Sequence, residues 1–230
     1  MRIGIIGAMD EEIKVLKESM DHTKTWQRGS VIFMAGNFGK HELIVVRSGI
    51  GKVMAAITTA MLIDHYDVNM VINTGSAGGI GKHLKVGDIV IAAQTAYFDV
   101  DVTGFGYEMG QLPAMPLYYD ASRYLVDQAV QAAASTGLSV HKGLIVTGDT
   151  FVNDEEKIKE IKEIFPQALA VEMEGAAVAQ AALQFKMPYL VIRSLSDVGD
   201  EDAAEHFDQF IITAGQKSAE MVLTLIRRLP

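Results

Sequence analysis

A chain of 230 residues, 49% of them hydrophobic and with no long polar tract, can bury one substantial core, and a single domain over 1–230 is expected. The formal charge of -9, with no cluster of Lys and Arg, repels phosphate backbones and excludes nucleic acid as an expected partner, while the absence of cysteine excludes disulfides and thiolate sites. Met1-Arg2 and a short apolar run reach the acidic Asp10-Glu11-Glu12 too soon for a signal peptide, and no segment approaches the roughly 20 apolar residues of a membrane span, so a cytoplasmic protein with no membrane partner is expected.

In chain order, short apolar, β-rich runs predict strands at 2–7, 31–36, 42–47, 70–75, 88–93, 143–148, 168–173 and 189–194. Between several of them, helical spacing predicts helices at 11–20, 52–66, 121–136, 154–164, 175–185 and 206–228. The last carries Phe207, Phe210, Ile211, Ala214, Ser218, Met221, Val222 and Leu225 on one side with polar residues opposite. Strands apolar on both faces and alternating with helices specify an α/β fold. A three-layer α/β/α arrangement is expected, with a central mixed, mainly parallel sheet; the run of strands before residue 50 accounts for the antiparallel part.

The one long irregular region is 98–120, in which Val102, Phe105, Tyr107, Met109, Leu112, Met115 and Leu117 lie among glycines and prolines. So much apolar surface calls for a cover, supplied either by the loop folding over its own core or by a partner. A homodimer with 98–120 at the interface is the sharper expectation.

Gly-rich segments raise the question of a phosphate or dinucleotide site. Gly49-Ile50-Gly51-Lys52-Val53, Gly75-Ser76-Ala77-Gly78-Gly79 and Gly104-Phe105-Gly106 all lack P-loop and Rossmann spacing, so no cofactor is expected. The histidines at 22, 41, 65, 83, 141 and 206 show no metal-ligand spacing, and no metal is expected. Ser76, Asp197 and His206 fall in the chain order of a hydrolase triad, but Thr74 stands where a nucleophile elbow requires glycine.

Three carboxylates stand where apolar runs end, the place at which α/β sheets bind ligands. Glu12 lies where the first strand turns into the first helix, a position where an acid also complements the helix dipole. Glu174 closes Val171-Glu172-Met173-Glu174, in which alternating glutamates demand a polar pocket or solvent, because an unpaired buried carboxylate is costly. Asp197 ends the run Val191–Ser196, where a turn or helix-capping aspartate is the other reading.

Around these residues stand IGIIGAMDEE (3–12), SGIGKV (48–53), INTGSAGG (72–79), KVGDIVIA (85–92), DVTGFGYEMGQLP (101–113), GDTFV (148–152), AVEMEGAA (170–177) and RSLSD (193–197). In these blocks, which run nearly end to end, the chain resembles the 5′-methylthioadenosine/S-adenosylhomocysteine nucleosidases of the nucleoside phosphorylase and nucleosidase fold family. The resemblance implies hydrolysis of the N-glycosidic bond of adenine thionucleosides, with release of adenine, in methionine salvage. It further implies that Glu12 is general base for water, Asp197 protonates the departing adenine at N7, and Glu174 holds the ribose 2′-hydroxyl beside an oxocarbenium-like transition state. By the same resemblance Ser76 and Arg193 position the water, and Phe151 stacks on adenine. Val152, where the family often has isoleucine, binds the base edge through its backbone, with Ala77, Gly78 and Ser196 nearby. Met9, Met173 and Glu172 line the ribose. Ile50 and Phe207, with Val102, Phe105 and Pro113 of a second subunit, enclose the 5′-thioether.

Two other readings are weighed against this one. A phosphorylase of the same fold needs an anion site, but Gly7-Ala8-Met9-Asp10-Glu11-Glu12 offers three acids and no arginine, leaving Arg47 and Arg193 as the possible anion ligands. A silent nucleoside-binding module would have no use for an acid and a base together.

Overall fold

The first apolar run folds as β1 (Arg2–Gly7), five of its six residues buried, and it becomes the centre of the sheet. The computed structural model describes residues 1–198 and 203–230, with the side chains of 203–208 left out. Strand β1 is flanked in parallel by β4 (His41–Arg47) on one side and β5 (Met70–Gly79) on the other. Beyond β4 the chain runs antiparallel through β3 (Val31–Phe38) to β2 (Asp21–Arg28), the outer edge.

On its other side β5 does more than continue the sheet. It pairs in parallel with β10 (Tyr189–Asp197) along most of its length, and its last residues, Gly78 and Gly79, pair antiparallel with β9 (Ala168–Glu172). Strand β10 pairs with β6 (Ile89–Tyr97), β6 with β8 (Val140–Thr147), and β8 with β9, so five strands close into a ring sharing β5 and β10. A two-residue strand, β7 (Tyr119–Asp120), pairs with β6.

Helices α1 (Asp10–Glu18), α3 (Arg123–Ala133) and α6 (Ala203–Arg228) pack together on one side of the sheet, with α2 (Lys52–Tyr66) and α5 (Gly175–Gln184) against each other on the opposite side. Helix α4 (Glu155–Ile164) contributes Ile161 to a second, smaller core with Val146, Val152 and Phe165. The expected three-layer α/β/α mixed sheet is found, with the ring at one end as a refinement. No helix among the described residues is long and apolar enough to cross a membrane.

Three features depart from the sequence expectation. Strand β2, DHTKTWQR, was not anticipated: an edge strand needs apolar residues on at most one face and tolerates the charges that mark this one as loop-like. Both β5 and β10 run past their apolar stretches, through Thr74–Gly79 and Leu195–Asp197, because ladder hydrogen bonds between the two strands persist to Gly78 and Asp197. Helix α3 starts only at Arg123, where the Ser122 hydroxyl accepts from the Leu125 N–H.

Strand β2 is anchored by aromatic packing. Trp26 stacks on buried Phe33 of β3 at 6.1 Å between ring centroids, Phe33 meets Tyr66 of α2 at 4.9 Å, and the indole N–H donates to the Tyr66 hydroxyl at 2.6 Å. Phe33→Ala empties the centre of this cluster and is expected to cost about 3–5 kcal/mol. Urea unfolding followed through Trp26, the single tryptophan, measures this; an unchanged midpoint would show that the cluster does not hold the edge.

Candidate active site

The ends of β1, β5, β9 and β10 converge on one cavity of about 350 Å³, at the lower end of the range for small-ligand sites. Twelve of the residues singled out in the sequence line it: Met9, Glu12, Ile50, Ser76, Ala77, Gly78, Phe151, Glu172, Met173, Glu174, Ser196 and Asp197. Ala8 and Val171 complete the wall. Its surface is mostly apolar with the carboxylates set into it, the pattern of a site that holds a ring system and acts on a few atoms of it.

Glu12 is buried in the first turn of α1, and its carboxylate is fixed by four donors. Oε2 accepts from the backbone N–H of Ala8 at 2.7 Å and of Met9 at 3.2 Å, and Oε1 accepts from the N–H and hydroxyl of Ser76 at 2.9 and 3.2 Å. The side chain therefore folds back over its own helix start toward β5 instead of pointing to solvent as a dipole-complementing acid would.

Asp197 is buried at the end of β10, where its Oδ2 accepts from the Ser196 hydroxyl at 2.8 Å. It pairs in register with Gly78, and a Cβ on Gly78 would sit 3.0 Å from its Oδ1. The missing side chain is what lets the carboxyl lie against β5.

Arg193, fully buried in β10, ties the acids together. Its Nη2 donates to Asn73 Oδ1 at 2.7 Å, to Glu174 Oε2 at 3.3 Å and, in a very short contact, to Glu172 Oε2. Burial alone would pull the guanidinium pKa down, but Glu172, Glu174 and Glu12 outweigh it and hold the pKa above its ordinary value. A Cβ on Gly75 would collide with both Arg193 Nη1 and Glu12 Oε1, so glycine at 75 is required by space.

Glu172 and Glu174 share Arg193 but differ in surroundings. Both Glu172 oxygens are taken up by protein donors: the Thr147 hydroxyl, the N–H groups of Glu174 and Gly175, and Arg193. Glu172 thus caps the start of α5 as well as lining the cavity. Glu174 has fewer partners, Gly51 N–H to Oε1 at 2.9 Å and Arg193 to Oε2.

The other expected residues lie apart. Val152 is buried in the smaller core and does not line the cavity. Phe151 and Ile50 are on the rim, partly exposed. Val102, Phe105 and Pro113 contribute nothing to this chain's cavity, and Phe105 is 86% exposed. The side chain of Phe207 lies outside the described residues. No group of residues able to hold a metal occurs among the described residues.

Several residues that shape the site were not singled out from sequence. Gly51 and Lys52 begin α2, and their N–H groups are taken by Glu174 and by Asp149 Oδ1 at 2.8 Å. The Lys52 ammonium binds Asp99 at 2.6 Å, and Asp99 also accepts from the Asp149 N–H at 2.9 Å. This network ties the start of 98–120 to the loop carrying Phe151. A free helix start after Gly49-Ile50-Gly51 was the one available signal for it.

Residues 2–227 match the model of the phosphorylase superfamily. A 5′-methylthioadenosine/S-adenosylhomocysteine nucleosidase of Haemophilus influenzae (strain PittEE) is 47% identical over all of both chains, and one of Bacillus subtilis (strain 168) is 45% identical with the same coverage. Among solved structures, S-adenosylhomocysteine nucleosidase from Streptococcus pyogenes in complex with 5-methylthiotubericidin superposes with a TM-score of 0.98 at 47% identity, covering 100% of this chain and 98% of that one. The corresponding Neisseria meningitidis nucleosidase in complex with methylthio-immucillin-A has a TM-score of 0.98 at 44% identity, covering 99% of each chain. The chain belongs to the 5′-methylthioadenosine/S-adenosylhomocysteine nucleosidase family of the phosphorylase superfamily.

Burial pushes the Glu174 carboxyl up to about 7; Arg193 and the Gly51 N–H oppose the rise, and the charges of Glu172 and Glu12 add to it. The same group in the unfolded chain titrates near 4.5, so between these values the folded state holds the extra proton and stability falls as pH rises through that window. Glu174→Gln, with no charge to bury, is expected to raise the Tm of the ligand-free protein at about pH 8 by several degrees, and to leave it unchanged near pH 4. An equal Tm difference at both pH values would contradict this cause.

Proposed function

We propose that this chain hydrolyses the N-glycosidic bond of 5′-methylthioadenosine and S-adenosylhomocysteine, releasing adenine and the 5-thio-substituted ribose. The observation that carries this reading is the meeting of Glu12, Glu174 and Asp197 in one cavity, each with a different set of donors. 5′-Deoxyadenosine, which has the same bond, is a further expected substrate. The protein is expected to act in the cytoplasm, in methionine salvage and the recycling of methyl-transfer products.

The two ends of the breaking bond need opposite proton movements. A purine leaves as a neutral base only if N7 gains a proton, and water becomes a competent nucleophile toward C1′ only if it loses one. Glu12, aimed by Ala8, Met9 and Ser76, is the base that takes the water proton. Asp197, at the end of β10, is the acid that protonates N7; Ser196 orients it. As the bond lengthens, positive charge develops on the ribose ring, and Glu174 beside it holds the 2′-hydroxyl and favours that charge. Glu172 is a positioning residue that holds Arg193 and the start of α5 through contacts already made within the protein. Phe151 and Met173 form the apolar walls for base and sugar.

Water, not phosphate, is the nucleophile. The loop carrying Glu12 presents acids, the buried Arg193 is already matched by Glu172 and Glu174, and Arg47 binds Asp10 and does not line the reaction cavity. The homodimer also belongs to this reading: Val102, Phe105 and Pro113 are free on this chain to cover the 5′ side of a neighbour's cavity.

Adenine release in phosphate-free buffer is the direct assay, and turnover that requires phosphate and yields a sugar phosphate would replace this reading with a phosphorylase. Glu12→Gln and Asp197→Asn are each expected to lower turnover by at least about a hundredfold with the fold intact. Near wild-type rates in either would remove its role. Light scattering at micromolar concentration is expected to give a dimer, and a strict monomer would leave the 5′ side without its second wall.

A further inference from the structure

The reaction cavity does not end at Met9 and Ile50. Those two residues and Ala8 also line a second cleft of about 540 Å³, whose far side carries Asp10, Glu11 and Arg47. Arg47 is the last residue of β4 and pairs in register with Gly7, the residue from which the loop to Glu12 departs. The backbone of Arg47 is therefore anchored by the sheet beside the site. One of its nitrogens, Nη1, donates to Asp10 Oδ2 at 2.7 Å, and Asp10 also binds Lys17 at 3.1 Å. Among the described residues, none takes a hydrogen bond from its Nε or Nη2. The cleft thus offers a cation beside two exposed carboxylates, Asp10, which already binds Arg47 and Lys17, and Glu11.

We infer that this cleft is a recognition site for the zwitterionic amino-acid end of S-adenosylhomocysteine, with Arg47 binding its carboxylate and the acidic pair Asp10 and Glu11 facing its ammonium group. The inference rests on the hydrolase reading above and deepens it. The two substrates share adenine, ribose and sulfur. Methylthioadenosine ends in an uncharged methyl group, whereas S-adenosylhomocysteine continues through two methylenes into a charged α-amino acid. A cavity of about 350 Å³ suits the shared nucleoside, and the longer substrate carries its charged end three carbons further from the sulfur than the nucleoside itself reaches. The cleft reached past Met9 and Ile50 supplies matched charges for that extension, and an arginine fork suits a carboxylate.

The test is a comparison of kcat/KM for the two substrates in wild type, Arg47→Ala and Arg47→Glu, by adenine release. Methylthioadenosine serves as the internal control for folding and chemistry. Arg47→Glu is expected to lower kcat/KM for S-adenosylhomocysteine by about fivefold to twentyfold through KM, and Arg47→Ala by less, with methylthioadenosine within about twofold in both. The wild-type KM for S-adenosylhomocysteine should also rise with salt more steeply than that for methylthioadenosine. The methyl ester of S-adenosylhomocysteine should lose affinity in wild type but show no further loss in Arg47→Ala. An unchanged substrate ratio in the variants, with wild type active on both, would overturn this inference and leave the hydrolase reading standing. A wild type that releases adenine from neither substrate would overturn both.

Discussion

A guanidinium with no access to water is the constraint around which the rest of the molecule is arranged. Arg193 stands in a central strand, and a lone charge there would be expensive enough to prevent folding. It is tolerated because Glu172 and Glu174 end a neighbouring strand within reach, Asn73 offers an amide oxygen, and Glu12 adds its field from the first helix. The converse also holds: Glu12, Glu172 and Glu174, packed around one cavity, would repel one another without a cation behind them. One positive charge does not fully match three negative ones, and the shortfall falls on Glu174, the member with the fewest donors.

The same economy explains why the four acids of the cavity are not equivalent. Glu12 is surrounded by N–H and O–H groups of its own helix start and of Ser76, and Glu172 is consumed by structural donors, while Asp197 lies against the bare backbone of Gly78. Chemically similar side chains acquire different duties through the company each keeps. That is the general way in which acid and base coexist in one pocket at a single pH.

Much of the scaffold was legible because buried parallel strands are written as short apolar runs, as Arg2–Gly7 and Tyr189–Ser194 illustrate. Asp21–Arg28 was not legible, since an outer strand has no need of an apolar face. Beyond residue 75, Ser76–Gly79 was read as part of a glycine-rich segment and not as strand, and the reason it is strand lies elsewhere in the chain: the room left by Gly75 and Gly78 is filled by Glu12, Arg193 and Asp197. The three carboxylates could be picked out at strand ends, but the donors Thr147 and Gly51 and the acceptor Asn73 could not, because each meets its partner only through the tertiary fold. Val152 shows the opposite: it sits in a recognisable block, yet its side chain belongs to the smaller core.

The glycines of β5 bear on how this protein can change. Where a pocket wall is made of side chains, its shape can drift by exchanging one residue for another of similar size. At Gly75 and Gly78 the cavity wall is bare main chain pressed against charged groups, and an added carbon meets Arg193 and Glu12 at the first and Asp197 at the second. That wall admits no gradual variation. The rim of the cavity at Met9 and Ile50, by contrast, carries ordinary side chains. Divergence among descendants of this sequence should therefore accumulate at that rim, while the glycine wall of β5 stays the same.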